Sequence, residues 1–273
     1  MLRKIVEQKK VEVAALRQEA TLQQMLTEIQ ALPGTRGFVK ALTTSPRKVS
    51  LIAEVKKASP SKGIIRADFD PAAIAKSYQE AGVDAISVLT DETFFQGDLK
   101  YLHIIRELVL QPLLRKDFTI DEYQIVQARA SGADAILLIA AILDREQIKH
   151  FYQMAVEVGL DVLIEVHDHA ELEQVLSVVD PMLLGINNRD LRSFTTNLNT
   201  SVELLKLIPT KIPVVSESGL ATAADVKVVG TAGARSILVG EQFMRQLDVV
   251  SAVRDLMQDQ QMKPQMISRG ETI

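Results

Sequence analysis

Glu54 and Lys56 stand two apart at the end of one short apolar run, and Asn187 and Arg189 stand two apart at the end of another. Residues at this spacing on a strand project from one face. Each pair therefore presents its two polar groups to the same side. Lys116 and Phe118 close a third run, Glu165 and His167 a fifth, Glu217, Ser218 and Gly219 a seventh, and Gly240 an eighth. One charged strand end alone is ordinarily a solvated one. Six together imply a single pocket where two lysines, two or three carboxylates, an asparagine and an arginine converge. That is the equipment for acid–base chemistry on an anionic substrate. Gly219 and Gly240 end the two runs where barrels bind phosphate through backbone N–H groups, although each also suits an ordinary turn. His167 and His169 form an H-x-H pair. Two imidazoles fall short of a zinc site, so supporting roles are expected and no metal is assigned. The Phe94-Phe95 pair suits loop packing or the wall of an aromatic site, and Leu137 reads as core.

Such a convergence needs strands whose ends meet. The apolar runs are Leu51–Val55, Ala85–Leu89, Pro112–Leu114, Ala135–Ile139, Asp161–Ile164, Leu183–Ile186, Pro213–Val215 and Ser236–Val239. They are short and nearly continuous, as strands of a parallel sheet covered by helices must be. Their starts lie 22 to 34 residues apart, the length of a βα unit. Helix signals fill the gaps: Asp70-Pro71, Asp121 and Asp144 at starts, Gly82, Gly132 and Gly159 at stops, and capping-box spacings at Thr200/Glu203 and Thr222/Asp225. The phrases around Gly82, Gly132 and Gly233 look like one helix-to-strand turn used three times. No Gly-rich nucleotide motif of an open sheet is present. The fold class expected is therefore α/β, a (β/α)8 TIM barrel with an N-terminal helical extension. Residues 1–45 are the extension, packed on the barrel with a stripe of Leu2, Ile5 and Val11–Leu16. Residues 46–257 form the single catalytic domain, and the polar tail 258–273 is expected to be poorly ordered.

Composition narrows the class further. The chain has 273 residues, a formal charge of -4, 47% apolar residues and no Trp. The near-balanced charge argues against nucleic acid as partner, and the apolar content supports an aliphatic core. With no Cys, disulfides and cysteine nucleophiles are excluded and a reducing compartment, the cytoplasm, is expected. No apolar run reaches the roughly 20 residues of a membrane span, and the charged N-terminus does not read as a signal peptide.

Ile52-Ala53-Glu54-Val55-Lys56-Lys57-Ala58-Ser59-Pro60-Ser61 resembles the first-strand signature of indole-3-glycerol-phosphate synthase, a family of tryptophan biosynthesis. The similarity continues through Leu89-Thr90-Asp91 with Phe94-Phe95-Gln96-Gly97, Arg115-Lys116-Asp117-Phe118, Glu165-Val166-His167, Gly185–Leu191, Glu217-Ser218-Gly219 and Leu238-Val239-Gly240-Glu241. It spans roughly residues 1–255, in order. The resemblance implies a carboxy-lyase that works on a phosphorylated small molecule without a cofactor. It converts 1-(2-carboxyphenylamino)-1-deoxyribulose 5-phosphate into indole-3-glycerol phosphate, releasing carbon dioxide and water. It also implies Lys116 as general acid and Glu165 as acid–base carboxylate, with Glu54, Lys56, Asn187, Arg189 and Ser218 around them. By the same resemblance Phe95, Phe118 and Leu137 wall the aromatic ring, and Ser59, Gly219, Gly240 and Glu241 grip phosphate. A lysine serves as the acid if burial or a cationic neighbour, here Lys56 or Arg189, lowers its pKa from about 10.4. A second pair, such as Lys56 and Glu165, would serve the dehydration. The rivals are another phosphate-binding barrel such as phosphoribosylanthranilate isomerase, which typically uses a cysteine absent here, a Schiff-base aldolase using the same lysines, and a barrel kept as a scaffold.

Overall fold

The computed structural model describes residues 1–190 and 195–260. Eight parallel strands close into a barrel: β1 Ser50–Val55, β2 Ala85–Leu89, β3 Leu113–Lys116, β4 Ala135–Ile139, β5 Asp161–Val166, β6 Leu184–Asn187, β7 Val214–Glu217 and β8 Ser236–Val239, with β8 against β1. Three strands match the apolar runs at both ends. Four others, β3, β5, β6 and β7, run one or two residues further, onto Lys116, Val166, Asn187 and Glu217. Hydrophobicity stops before the strand does, because strand ends that line the mouth carry polar side chains.

Both faces of each strand are buried. Ile52, Ala85, Leu114, Ala135, Leu137, Leu163, Val215 and Leu238 fill the interior, while Leu51, Ile86, Leu113, Ile136, Val162 and Ile237 pack outward in the cluster beneath the surrounding helices. This two-sided burial is why the strands read as continuous apolar runs. The recurring turn is one structure: Gly82, Gly132 and Gly233 adopt φ of 72°, 86° and 117°, reversing the chain from helix to strand. The Thr222/Asp225 capping box is present. Thr200 instead lies inside the helix Asn199–Leu205, which starts earlier because Asn197 Oδ1 accepts from the N–H of Asn199.

The N-terminal extension comprises α1 Leu2–Glu19, α2 Leu22–Ile29 and α3 Phe38–Thr43. Helix α3 inserts Phe38 and Leu42, both fully buried, into the interior cluster. The N–H of Val39 meets Asp161 at the start of β5, so α3 closes the barrel's lower end. Helix α1 lies at the opposite end. Its buried face is Ile5, Lys9 and Val13; the expected stripe holds at Ile5 and Val13, whereas Val11 is exposed. An apolar pattern passes over a lysine in the buried face.

Gln258–Gln260 form a short 3-10 turn with Gln260 buried, and the Gln260 carbonyl accepts from the N–H of Lys48. The tail assigned to 258–273 therefore begins in packed structure, and residues 261–273 lie outside the described residues, as does Leu191. No helix among the described residues is long and apolar enough to cross a membrane.

Candidate active site

The strand ends enclose a cavity of about 1240 Å³, counting its open mouth. Glu54, Lys56, Ser59, Phe95, Lys116, Phe118, Leu137, Glu165, Asn187, Arg189, Ser218, Gly219, Gly240 and Glu241 all line it. Register explains the convergence. Leu89 pairs with Lys116, Ile139 with Glu165, Glu165 with Gly185 and Asn187 with Glu217, so polar side chains from neighbouring strands reach one layer above the aliphatic interior.

Lys116 occupies the middle of that layer. Its Nζ donates to Glu165 Oε2 at 3.1 Å and lies 3.5 Å from Glu217 Oε2. Glu165 is held further by Asn187 Nδ2 at 3.2 Å. His167 Nε2 also lies 3.2 Å from Glu165 Oε1, close enough to pair in charge but off the line of a hydrogen bond. The imidazole is fixed from its other side by Glu171 Oε2, 3.0 Å from Nδ1. Lys56 pairs with Glu54, not with Glu165. That changes the second pair expected from sequence, because Glu165 is already committed to Lys116, Asn187 and His167.

These contacts decide the charges. Burial opposes the Lys116 ammonium, yet Glu165, Glu217 and Glu54 outweigh it and raise the lysine above its ordinary value. The lowered pKa expected from Lys56 or Arg189 is therefore corrected: the lysine's near neighbours are carboxylates. Arg189 turns away, its Nη1 donating to Ser61 Oγ at 3.0 Å and its Nη2 3.7 Å from Glu241 Oε2. Burial also opposes the Glu165 carboxylate, but Lys116, His167 and Asn187 hold it well below the usual range. Glu217 goes the other way. Burial, with Glu165 and Glu54 nearby, pushes it up to about 8 against the pull of Lys116. Its Oε1 has no hydrogen-bond partner. Two carboxyls sharing one ammonium are thus split into a charged and a protonated form, the separation expected of acid–base partners. His167 is lowered by burial but raised more by Glu165 and Glu171, to about 10.

Glu217 was visible at a strand end but was not among the residues first assigned to the site. It fits because Gly185 has no side chain: a Cβ there would collide with Glu217 Oε1 and stand 3.2 Å from Leu163 Cδ1. The first turn of α1 was missed entirely, since Met1, Leu2 and Ile5 line the cavity from a segment with no strand pattern. His167 and His169 diverge, with His167 beside Glu165 and His169 exposed, 3.6 Å from Glu173.

The aromatic and the glycine-rich sides differ in character. Phe95 and Phe118 face each other with ring centroids 6.0 Å apart, and Leu137 lines the same cavity. Across the mouth, Ser218 and Gly219 adopt φ of 68° and 80° in succession. That strained turn is held by buried Asn188, whose Nδ2 donates to the carbonyls of Glu217 and Ser218 at 2.9 and 3.0 Å. Gly240 is glycine for a reason other than ligand approach alone. A Cβ there would collide with Glu54 Oε1 and stand 2.9 Å from Glu54 Cβ. Glu241 is drawn aside by Arg245, whose Nη2 and Nε lie 2.9 and 3.1 Å from its Oε1.

A family model described as indole-3-glycerol phosphate synthase matches residues 2–256. A protein of that description from Geobacillus sp. (strain WCH70) is 47% identical over 259 residues, 95% of this chain and 97% of the relative. Another, from Desulfotalea psychrophila, is 51% identical over 246 residues, 90% and 94% of the two chains. Among solved structures, 3-hexulose-6-phosphate synthase from Salmonella typhimurium superposes with a TM-score of 0.63 at 15% identity, covering 77% of this chain and 97% of that one. A mutant tryptophan synthase alpha-subunit from Pyrococcus furiosus gives 0.59 at 16% identity, covering 77% and 98%. At such identities the two structures speak to the barrel alone.

Proposed function

The chain belongs to the indole-3-glycerol phosphate synthase family, and we propose that Lys116 drives the ring closure of its reaction. The enzyme is a carboxy-lyase of tryptophan biosynthesis. It converts 1-(2-carboxyphenylamino)-1-deoxyribulose 5-phosphate to indole-3-glycerol phosphate, carbon dioxide and water. The observation that carries the assignment is the Lys116 ammonium, 3.1 Å from Glu165 and 3.5 Å from Glu217, in the same cavity as the Phe95–Phe118 wall.

The ring carbon that bears the carboxylate attacks the ketone carbon, and the ketone oxygen must gain a proton as the bond forms. Lys116 supplies it. Its raised pKa keeps the ammonium fully protonated, and the developing alkoxide is basic enough to accept from it. Attack costs the ring its aromaticity, and loss of carbon dioxide restores it. Dehydration then needs an acid at the departing hydroxyl and a base for the proton lost from the new ring. Lys56 and Glu54, paired at the end of β1, are the second acid–base couple. Once Lys116 has given up its proton, the charge that depresses Glu165 is gone, so buried Glu165 takes a proton from solvent and relays it to Lys116. Neutral Glu217 limits the negative charge around the lysine before the carboxylate of the substrate arrives.

Phe95, Phe118 and Leu137 sandwich the carboxyphenyl ring. The phosphate lies toward Lys56, Ser59, Gly219, Gly240 and the backbone of Glu241, whose carboxylate Arg245 draws away. The cysteine-free chain suits a reducing compartment, and we assign the reaction to the cytoplasm. The test is direct. Indole absorbance and fluorescence should appear when the purified protein meets the deoxyribulose phosphate substrate, and borohydride should trap no lysine adduct. A trapped adduct without indole would favour the aldolase alternative.

A further inference from the structure

Beside the cavity, which Asp117 also lines, a buried ion cluster surrounds Lys9. The residue is 1% exposed. Its ammonium lies 2.9 Å from Asp91 Oδ2, 2.8 Å from Asp117 Oδ1 and 2.8 Å from Glu12 Oε2. Arg115 adds a second cation, 3.2 Å from Asp117 Oδ2. Lysine is almost never buried so fully unless paired, and here its two buried partners sit at the ends of β2 and β3.

Each aspartate holds part of the aromatic wall. Asp91 Oδ1 accepts from the N–H groups of Phe94 at 2.7 Å and Phe95 at 3.2 Å, starting the short helix Glu92–Phe95. Asp117 Oδ1 accepts from the N–H of Phe118 at 2.8 Å and directly follows Lys116. Lys9 also shares a helix face with Ile5, one turn earlier, and Ile5 lines the cavity. One ammonium therefore ties together the roof, both rings of the wall and the strand end that presents the acid.

We propose that Lys9 is a positioning residue of the ring-closure site, clamping the Asp91 and Asp117 loops so that Phe95, Phe118 and Lys116 keep their geometry. The proposal rests on the activity proposed above. Lys9 does not line the cavity and touches no substrate. Without its charge the two buried aspartates lose their shared counterion and repel, and the loops they anchor lose the force that draws them together.

Lys9→Met keeps length and removes charge. Two competitors report on the two ends of the site: 2-aminobenzoate for the ring and glycerol 3-phosphate for the phosphate. In the full-length variant kcat/KM should fall roughly ten- to a hundred-fold, the scale expected for an ångström of misplacement. Inhibition by 2-aminobenzoate should weaken about ten-fold while that by glycerol 3-phosphate stays within about two-fold, because the phosphate end lies across the mouth. A lysine that merely pinned α1 would lower the folded fraction and leave both inhibition constants unchanged, which would overturn the proposal. If Lys9→Met does not fold, Lys9→Met with Asp91→Asn relieves the charge imbalance and keeps an N-capping side chain. This double variant should show the same selective loss. Normal ring affinity in it, or failure of both variants to fold, would assign Lys9 to stability alone. A wild-type enzyme that forms no indole would refute the activity instead, so the two failures are distinguishable.

Discussion

Replacing Lys116 separates a proton donor from an electrostatic contact. Its Nζ lies 3.1 and 3.5 Å from two buried carboxyls. At an effective dielectric of about 20, the contact with charged Glu165 represents about 5 kcal/mol of attraction, much of it offset by desolvation, while protonated Glu217 adds little. Lys116→Met removes that cation, but Glu217 already favours its protonated form and Glu165 keeps Asn187 and His167. The stability loss should therefore fall at the low end for a broken buried pair, about 3 kcal/mol, leaving the variant folded for assay. The catalytic loss should be larger. A general acid acts mainly in the transition state, so kcat should drop on the order of 10²–10⁴-fold, about 3–5 kcal/mol of barrier, with a smaller change in KM. Lys116→Arg keeps the charge but cannot release a proton near neutral pH, and its kcat should fall by a similar factor. The assay is indole formation at saturating substrate, with unfolding followed in denaturant. Near-normal kcat in Lys116→Arg, or a raised KM alone in Lys116→Met, would refute the assignment and move the acid to Lys56.

Glu165→Gln keeps shape while removing titration, so steady-state kcat should fall roughly 10²-fold or more with substrate binding retained; an unchanged kcat would make Glu165 a strut. Glu217 has its folded pKa raised from 4.5 to about 8, so the folded state binds its proton more tightly than the unfolded chain. Its stabilising contribution is complete below about pH 4.5 and is lost as pH rises through 8. Denaturant midpoints of wild type should decline over that window by more than those of Glu217→Gln, and parallel curves would contradict the protonated form. Gly240→Val should lower kcat as well as raise KM, because its Cβ displaces Glu54 and with it Lys56. Turnover of dephosphorylated substrate at the normal kcat/KM would remove the phosphate role of Gly219 and Gly240.

Burial on both faces makes barrel strands apolar throughout, and the βα spacing repeats with every turn of the barrel. Eight strands, their order and the polar residues at their ends were therefore legible in the sequence alone. Ala85–Leu89, Ala135–Ile139 and Ser236–Val239 were located to the residue, and all fourteen assigned site residues line one cavity. Charge state was not legible, because a pKa depends on which groups lie within a few ångströms after folding. Lys116 was expected beside cations, but barrel closure sets it among Glu165, Glu217 and Glu54, while Arg189 turns to Ser61 and Glu241. Local pattern likewise failed at Lys9. In the chain it is one of two adjacent lysines on a charged helix. Only the docking of α1 across the ends of β2 and β3 brings Asp91 and Asp117, far along the sequence, around its ammonium. Strand placement follows from local hydrophobicity, whereas protonation and loop anchoring follow from long-range electrostatics that exist only in the folded chain.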